Sequence, residues 1–555
     1  MMCEICTGIT IGPIVDTITL TSTPAGSWAA STLFSWISRE LLRNLLLAGD
    51  ITDSDILMPY AVWNEKELKF TPSSEAAMKQ GIGILCDRII LQGDHADAVK
   101  NAREHVLEAL AQKLVEIGIG NQQDNYEWAK DYFRITAVKT TVQAQENRIT
   151  ALDSLLNAIE LEPVYVQREE NSPLITLFAN VSSEDETNAS DQNARIRSSF
   201  LVKEASDWAL SSNGRNIRTI GQIAHGFDDG EQWAASKYYA VIAADGDNMG
   251  RIVSQLDTPE KIQSFNQHFL EYTGKIALTI RKYGGLPLYA GGDDLLAIVP
   301  LFGFNPENES IQSTLFSLLK NCSDIFEMSF SSEIGQIKKQ NENTAAEKKV
   351  PVPSLSFGIS VQYYKSPLYE ALECARAEEN SAKYGGPCKN TMSFNLRTHS
   401  GHSHYLRIPL LNSEEGEKVM QAFIQIISDG RSARTLNQDG DFLFGTVYHL
   451  EEMVPLLTLA VQEYIAAATD AEKDSAVIKM KRLFNNVFDS TDQRAAAAQV
   501  EDAKELLIGN ADLWIKETAS ASEKNLIDGA AAIVRRTTET LRIARFLSEK
   551  GAEEI

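Results

Sequence analysis

Short apolar runs alternate with long stripes of helical period along most of this chain. Ile9-Thr-Ile-Gly-Pro-Ile14 reads as a strand, Ser27 to Leu47 as an amphipathic helix, and Asp55-Ile-Leu-Met58 as a returning strand. From Ala96 to Gly118 the residues Val99, Ala102, Val106, Leu107, Leu110 and Leu114 recur at helical spacing and predict a second helix. The signal weakens between Glu160 and about Gly230. There Val181 to Asn193 is too polar to bury and is expected to form a mobile loop in a mainly helical connecting region.

The pattern then sharpens. Tyr238-Tyr-Ala-Val-Ile-Ala-Ala244 is unbroken in its apolarity and predicts a buried strand. Thr258-Pro-Glu260 supplies a capping hydroxyl and a first-turn proline for a helix that Gly284-Gly285 stops. Leu286 to Ala290 and Leu295 to Val299 flank Gly291-Gly-Asp-Asp294 as strands flank a hairpin turn. A helix from about Glu309 to Ser331, a charged loop from Gly335 to Pro353, a strand from Ser354 to Tyr364 and a helix from Pro367 to Lys383 follow. This β-α-β-β-α-β order is the ferredoxin-like or palm arrangement. Beyond about Tyr405 the pattern is almost wholly helical, with Ala-rich stretches such as Arg494 to Glu505. The expected class is α+β: two related units at residues 1–160 and 233–403, a connecting region at 161–232, and a C-terminal helical domain at 404–555.

Composition narrows the function classes. A chain of 555 residues, 43% hydrophobic and 23% charged, is long enough for several packed units and has the make-up of a globular protein. No apolar run is long enough to span a bilayer, and Met1 to Thr21 lacks the basic and apolar parts of a secretory signal, so a cytoplasmic location away from membranes is expected. Six cysteines in so long a chain form no disulfide framework. Cys3 and Cys6 have metal spacing but no second pair nearby, so no structural zinc is expected. His399, His402 and His404 have no acidic or thiol partner at useful spacing and read as an exposed loop. A net charge of −24 argues against wrapping duplex DNA. It leaves open a nucleoside triphosphate held through cations that carboxylates recruit.

The carboxylates that could do so are Asp245, at the end of a predicted strand, and Asp293 and Asp294 in the glycine hairpin. In a β-α-β-β-α-β unit the first and third strands are neighbours, so these side chains converge. Two carboxylates about 4 Å apart repel by about 4 kcal/mol at an intermediate effective dielectric, and Mg2+ or Mn2+ relieves such crowding. A pair of these ions can clamp an attacking hydroxyl and a triphosphate. Gly291 and Gly292 allow a tight turn and leave room for a phosphate or base. Asp247 is either a further ligand or a helix N-cap.

LPLYAGGDDLLAIVPL from Leu286 to Leu301 and YYAVIAADGDNMG from Tyr238 to Gly250 resemble the polymerase/cyclase large subunit of type III CRISPR effector complexes, especially the Cmr-type (III-B) form. Diguanylate and adenylyl cyclases are more distant relatives. Ser356-Phe-Gly-Ile-Ser360, Lys365-Ser-Pro-Leu368, Ser381-Ala-Lys383 and Ser400-Gly401 extend the resemblance. It implies a nucleotide site at Gly246, Asp247, Gly291, Gly292, Ser356 and Lys383, with Lys383 meeting the triphosphate; the alternative for Lys383 is a cation at a helix C-terminus. Gly12-Pro13, Ser27-Trp-Ala-Ala-Ser31 and Pro59 are similar to the family's degenerate first palm. Ser31 is thereby a candidate for a second nucleotide, or merely a small residue on a packed helix.

The resemblance implies synthesis of cyclic oligoadenylates from ATP when a guide RNA pairs with target RNA, inside a complex with other Cmr-type subunits that the C-terminal helices face. Joining AMP to S-adenosylmethionine at the same site, and a non-catalytic scaffold, are the alternatives. Many members of the family begin with an HD nuclease, but this sequence contains no His-Asp dyad, so no DNase activity is expected. The family's paired Cys-x-x-Cys motifs are also missing apart from Cys3 and Cys6.

Overall fold

A computed structural model describes residues 3–64, 66–143, 146–161, 172–182, 219–225, 236–305, 310–342, 350–385, 389–409, 414–435, 442–489, 504–506, 509 and 538–548. It is a mixed α+β structure with two principal sheets, one 4-stranded and one 6-stranded.

The first sheet is built from β1 (Cys3–Gly12), β2 (Ile56–Met58), β3 (Arg88–Gln92) and β4 (Arg134–Gln143). Its spatial order is β2-β3-β1-β4, with every neighbouring pair antiparallel. Between these strands lie α1 (Pro24–Ala48), α2 (Pro72–Lys79) and α3 (Ala96–Glu116), and α4 (Arg148–Glu160) follows β4. Helix α1 begins where Thr23 Oγ1 accepts from Gly26 N at 3.1 Å with Pro24 in its first turn, and it stops at Gly49, whose φ is 74°.

The second sheet contains β5 (Tyr238–Asp247), β6 (Leu286–Gly291), β7 (Asp294–Pro300), β8 (Ser354–Tyr363), β9 (Thr391–Arg397) and β10 (Ser403–Pro409). Their order is β10-β9-β8-β5-β7-β6, and only the β8–β9 pair is parallel. Counted within its own unit, β8-β5-β7-β6 runs fourth-first-third-second. Read backwards, the first sheet has the same order. Helices α5 (Pro259–Lys282), α6 (Leu315–Ser329) and α7 (Leu368–Tyr384) connect these strands.

Strand alternation divides the core. Ala240, Ile242 and Ala244 share a cluster with Phe265 and Ile276 of α5 and with Phe316 of α6. Tyr239, Val241 and Ala243 share the other with Leu368 and Leu372 of α7 and with Trp28 and Leu33 of α1. Helix α1 of the first unit thus lies against the second sheet, which explains why so much of it is buried. The units also meet at Gly274 of α5, where an added Cβ would lie 2.5 Å from the backbone carbon of Ser73.

Several local expectations change. The helix predicted from about Glu309 starts at Leu315, capped by Thr314, after a strand pair at Phe302–Asn305 and Ser310–Thr314. Part of the charged segment from Gly335 is helical (Ser331–Glu342), because Ile334 and Ile337 fall on one face and are buried. The sheet extends past Tyr405 through β10, which pairs along β9. Cys3 and Cys6 both lie in β1, and Cys6 is in the core. His404 does have an acidic neighbour: its Nδ1 is 2.8 Å from Glu539 Oε2 on the helix 538–548.

Helices Pro173–Ser182 and Ile220–His225 are described in the connecting region, and the polar stretch beyond Ser182 lies outside the described residues. So does most of Arg494 to Glu505. Glu414–Thr435, Phe442–Ala466 and Asp470–Asp489 are helical. Among the described residues no helix is long and apolar enough to cross a membrane.

Candidate active site

The site forms where β5 ends beside the β6–β7 hairpin. Strand β5 pairs with β7 up to Ala244↔Leu295, so the next residue, Asp245, emerges beside the turn. The turn is closed by the Gly291↔Asp294 pair, and Gly292 takes a φ of 69°, a left-handed conformation that glycine adopts without strain. One carboxylate oxygen from each of Asp245, Asp293 and Asp294 lies within 4.8 Å of the others. Gly246 makes this approach feasible, since a Cβ there would lie 2.8 Å from Asp293 Cβ and 2.7 Å from Met249 Cγ.

The electrostatics match that crowding. Burial raises the Asp293 carboxyl above its ordinary range. Asp294 reaches the surface, but the protein packed around the hairpin, and then the charges of Asp293, Glu379 and Asp87, push its carboxyl up to about 8, against an opposing pull from Arg376. A hard dication with oxygen preference fits such a donor set, because it favours the ionised forms that crowding disfavours. Lys383 of α7 forms an ion pair with Asp245. Burial and then the charge of Lys389 push its ammonium down to about 8. Helix α7 lies directly on β8: a Cβ at Gly358 would lie 2.1 Å from Glu379 N and 2.2 Å from Ala375 O.

Asp247 and Ser356 are placed differently from the other candidates. Asp247 is fully buried, and its Oδ2 accepts from Ser354 Oγ at 2.8 Å, Ser356 Oγ at 2.6 Å and Asn390 N at 2.8 Å. It ties β5, β8 and the start of β9 together. It is not a helix N-cap, since Asn248 occupies that position for the short helix Met249–Val253. Its Oδ1 is buried without a hydrogen-bond partner. Ser356 is fully buried against it and also accepts from Thr391 N at 3.3 Å. The Asp247 carboxylate does not join the three-carboxylate cluster.

Ser31 is also buried, and its Oγ has no hydrogen-bond partner. It presses on Gly83, where a Cβ would lie 2.7 Å from that oxygen. This is the surrounding of a small packing residue. The segment it touches is held to α1 by Trp28 Nε1 and Thr32 Oγ1 donating to Gly81 O at 2.7 and 3.1 Å, and by Ser38 Oγ donating to Cys86 O at 3.2 Å. Gly83 O then accepts from Ala290 N of β6 at 3.2 Å. The first unit therefore braces the strand that leads into the hairpin, and brings Asp87 into the field of Asp294.

Sequence reasoning missed Asp87, Arg376 and Glu379. The last two could have been found, since 376, 379 and 383 fall on one helical face of α7. Asp87 could not, because only the packing of one unit on the other brings it near.

A family model described as Cas10/Cmr2, second palm domain, matches residues 238–393, the segment that carries this site. A curated relative, the CRISPR system Cmr subunit Cmr2 of Pyrococcus furiosus, is 28% identical over 197 residues, covering 31% of this chain and 20% of the relative. The alignment thus spans about a fifth of that relative's length. Among solved structures, a type III-B Cmr-beta complex in its apo state is similar with a TM-score of 0.50 at 11% identity, over 95% of this chain and 82% of that one. A Csm1–Csm4 cassette in complex with cA4 aligns with a TM-score of 0.48 at 11% identity, over 88% and 69%.

Proposed function

We propose that this chain is the large subunit of a type III CRISPR effector complex, and that its second sheet is a ferredoxin-like palm that joins ATP-derived nucleotides into cyclic oligoadenylates. The observation that carries this reading is the convergence of Asp245, Asp293 and Asp294 within 4.8 Å, in a segment similar to the Cas10/Cmr2 second palm. Asp245, Asp293 and Asp294 would hold Mg2+ or Mn2+, which supplies Lewis-acid activation of a 3′-hydroxyl and neutralises charge on the triphosphate. Gly291 and Gly292 leave the turn free of side chains where a nucleotide approaches. Lys383 lies across from the hairpin, placed to pass from Asp245 to an incoming phosphate.

The first unit, residues 1–160, is read as a degenerate palm: β1 carries no carboxylate after Glu4, so it has no counterpart of Asp245. Residues 233–403 are the catalytic palm, 161–232 connect the two, and 404–555 contact neighbouring subunits of a Cmr-type complex that also holds guide and target RNA in the cytoplasm.

The test is to incubate the assembled complex with labelled ATP, Mn2+ or Mg2+ and cognate target RNA, then identify products by mass. Cyclic oligoadenylates are expected from the wild type, and none from the double variant Asp293→Ala, Asp294→Ala, which should still assemble. A product containing S-adenosylmethionine, when that compound is present, would replace the cyclisation reading with conjugation. Absence of any product would leave a scaffold.

A further inference from the structure

We propose that Arg376 is a second phosphate-binding residue of the site, gripping the phosphate chain of a nucleotide held between the hairpin and the first unit. This rests on the nucleotidyl-transfer reading above and adds a residue to it. Arg376 lies on α7 two turns before Lys383, roughly 10 Å along the axis at 1.5 Å per residue. Helix α7 is pressed onto β8 at Gly358, which pairs with Ala243 two residues before Asp245, so the turn of α7 that carries Arg376 lies just below the strand end that bears Asp245.

The groups whose charges reach Arg376 come from three elements. They are Glu373 and Glu379 on its own helix, Asp294 on the hairpin, and Asp16 on the first unit's helix Ile14–Thr19. Yet among the described residues the guanidinium of Arg376 makes no hydrogen bond and no ion pair, although its backbone O accepts from Asn380 Nδ2 at 3.1 Å. Its guanidinium is half-buried and presents five N–H donors in a planar fork that solvent reaches and an incoming acceptor can take. The charges of these carboxylates reach it without a direct contact, which leaves its donors open to an anion brought in from outside. A phosphate matches the fork in bidentate geometry. Lys383, paired with Asp245, serves the metal side of the cluster, and Arg376 serves the side facing the first unit.

The test compares binding of α,β-methylene-ATP and of adenosine to the assembled complex in Mn2+, by calorimetry, for the wild type, Arg376→Gln and Arg376→Lys. Loss of a charge-assisted contact predicts that Arg376→Gln lowers the triphosphate-over-adenosine preference by about 10- to 100-fold, with adenosine binding unchanged. Arg376→Lys should recover only a small part, because a point charge lacks the fork. An unchanged preference in Arg376→Gln would overturn the proposal. So would full rescue by Arg376→Lys, which would mark Arg376 as a mere counter-charge for Asp294 and Glu379. If the wild-type complex bound no triphosphate, the nucleotidyl-transfer reading itself would fail, a result distinct from either of these.

Discussion

Ser356 donates from its Oγ to Asp247 Oδ2 at 2.6 Å, and the pair is fully buried beneath the acidic lip of the second sheet. Asp247 is two residues from Asp245, yet the two carboxylates do opposite things. One anchors three strand ends, and the other stands among its own kind at the surface of the site.

Asp247→Ala should therefore be far more destabilising than any change in the cluster. It removes the acceptor of two hydroxyls and one backbone N–H in a buried place, which predicts a loss of about 3 kcal/mol or more in urea unfolding. Asp293→Asn, which relieves repulsion, should leave stability unchanged or raised when divalent cations are chelated. Equal losses from the two variants would show that Asp247 is no anchor.

Gly246→Ala tests the approach of strand to hairpin. The new methyl would lie 2.8 Å from Asp293 Cβ, so the hairpin must shift by a fraction of an ångström or more. Overpacking of this kind costs about 1–3 kcal/mol. A displaced ligand should lower product formation by about 100-fold with the fold retained, as circular dichroism would report.

At Ser31 the expectation is the reverse. Ser31→Ala removes a buried hydroxyl that has no partner, so stability should be unchanged or higher by up to about 1 kcal/mol, with nucleotide binding unaltered. Gly83→Ala, which drives a methyl into the same contact, should destabilise by about 1–3 kcal/mol. Weakened nucleotide binding in Ser31→Ala would place that residue in a nucleotide site.

The contact between His404 and Glu539 predicts an acid-sensitive link between β10 and the helix 538–548. Burial alone would raise the Glu539 carboxyl, but the bond from His404 and the charge of Arg542 outweigh it and hold the group below its usual 4.5. The unfolded chain therefore takes up this proton first as pH falls. The stabilisation is fully present above about pH 4.5 and is lost as pH drops through the lower folded value. His404→Ala should cost about 1 kcal/mol near pH 7 and progressively less below pH 4.5, read from denaturation midpoints across that range.

Local pattern alone determined a good deal of this protein. Apolar runs marked β5, β6 and β7, the capping hydroxyl of Thr258 marked where α5 begins, and the spacing of Asp245 from the glycine hairpin placed three carboxylates together, because strand order follows from element order in so compact a unit. Those inferences depend on neighbours in sequence or on one step of topology. The tertiary structure alone decided which side of a strand tip each polar group serves. Asp245 and Asp247 share a face in the strand, and only the hydroxyls arriving from β8 and the amide of Asn390 draw the second of them into the interior. It also decided that Ser31 packs against Gly83, that Asp87 enters the field of the hairpin, and that Glu539 finds His404 from the far end of the chain. Each of these rests on contacts between segments whose separation in sequence carries no periodic signal, so their energies exist only once the units have packed.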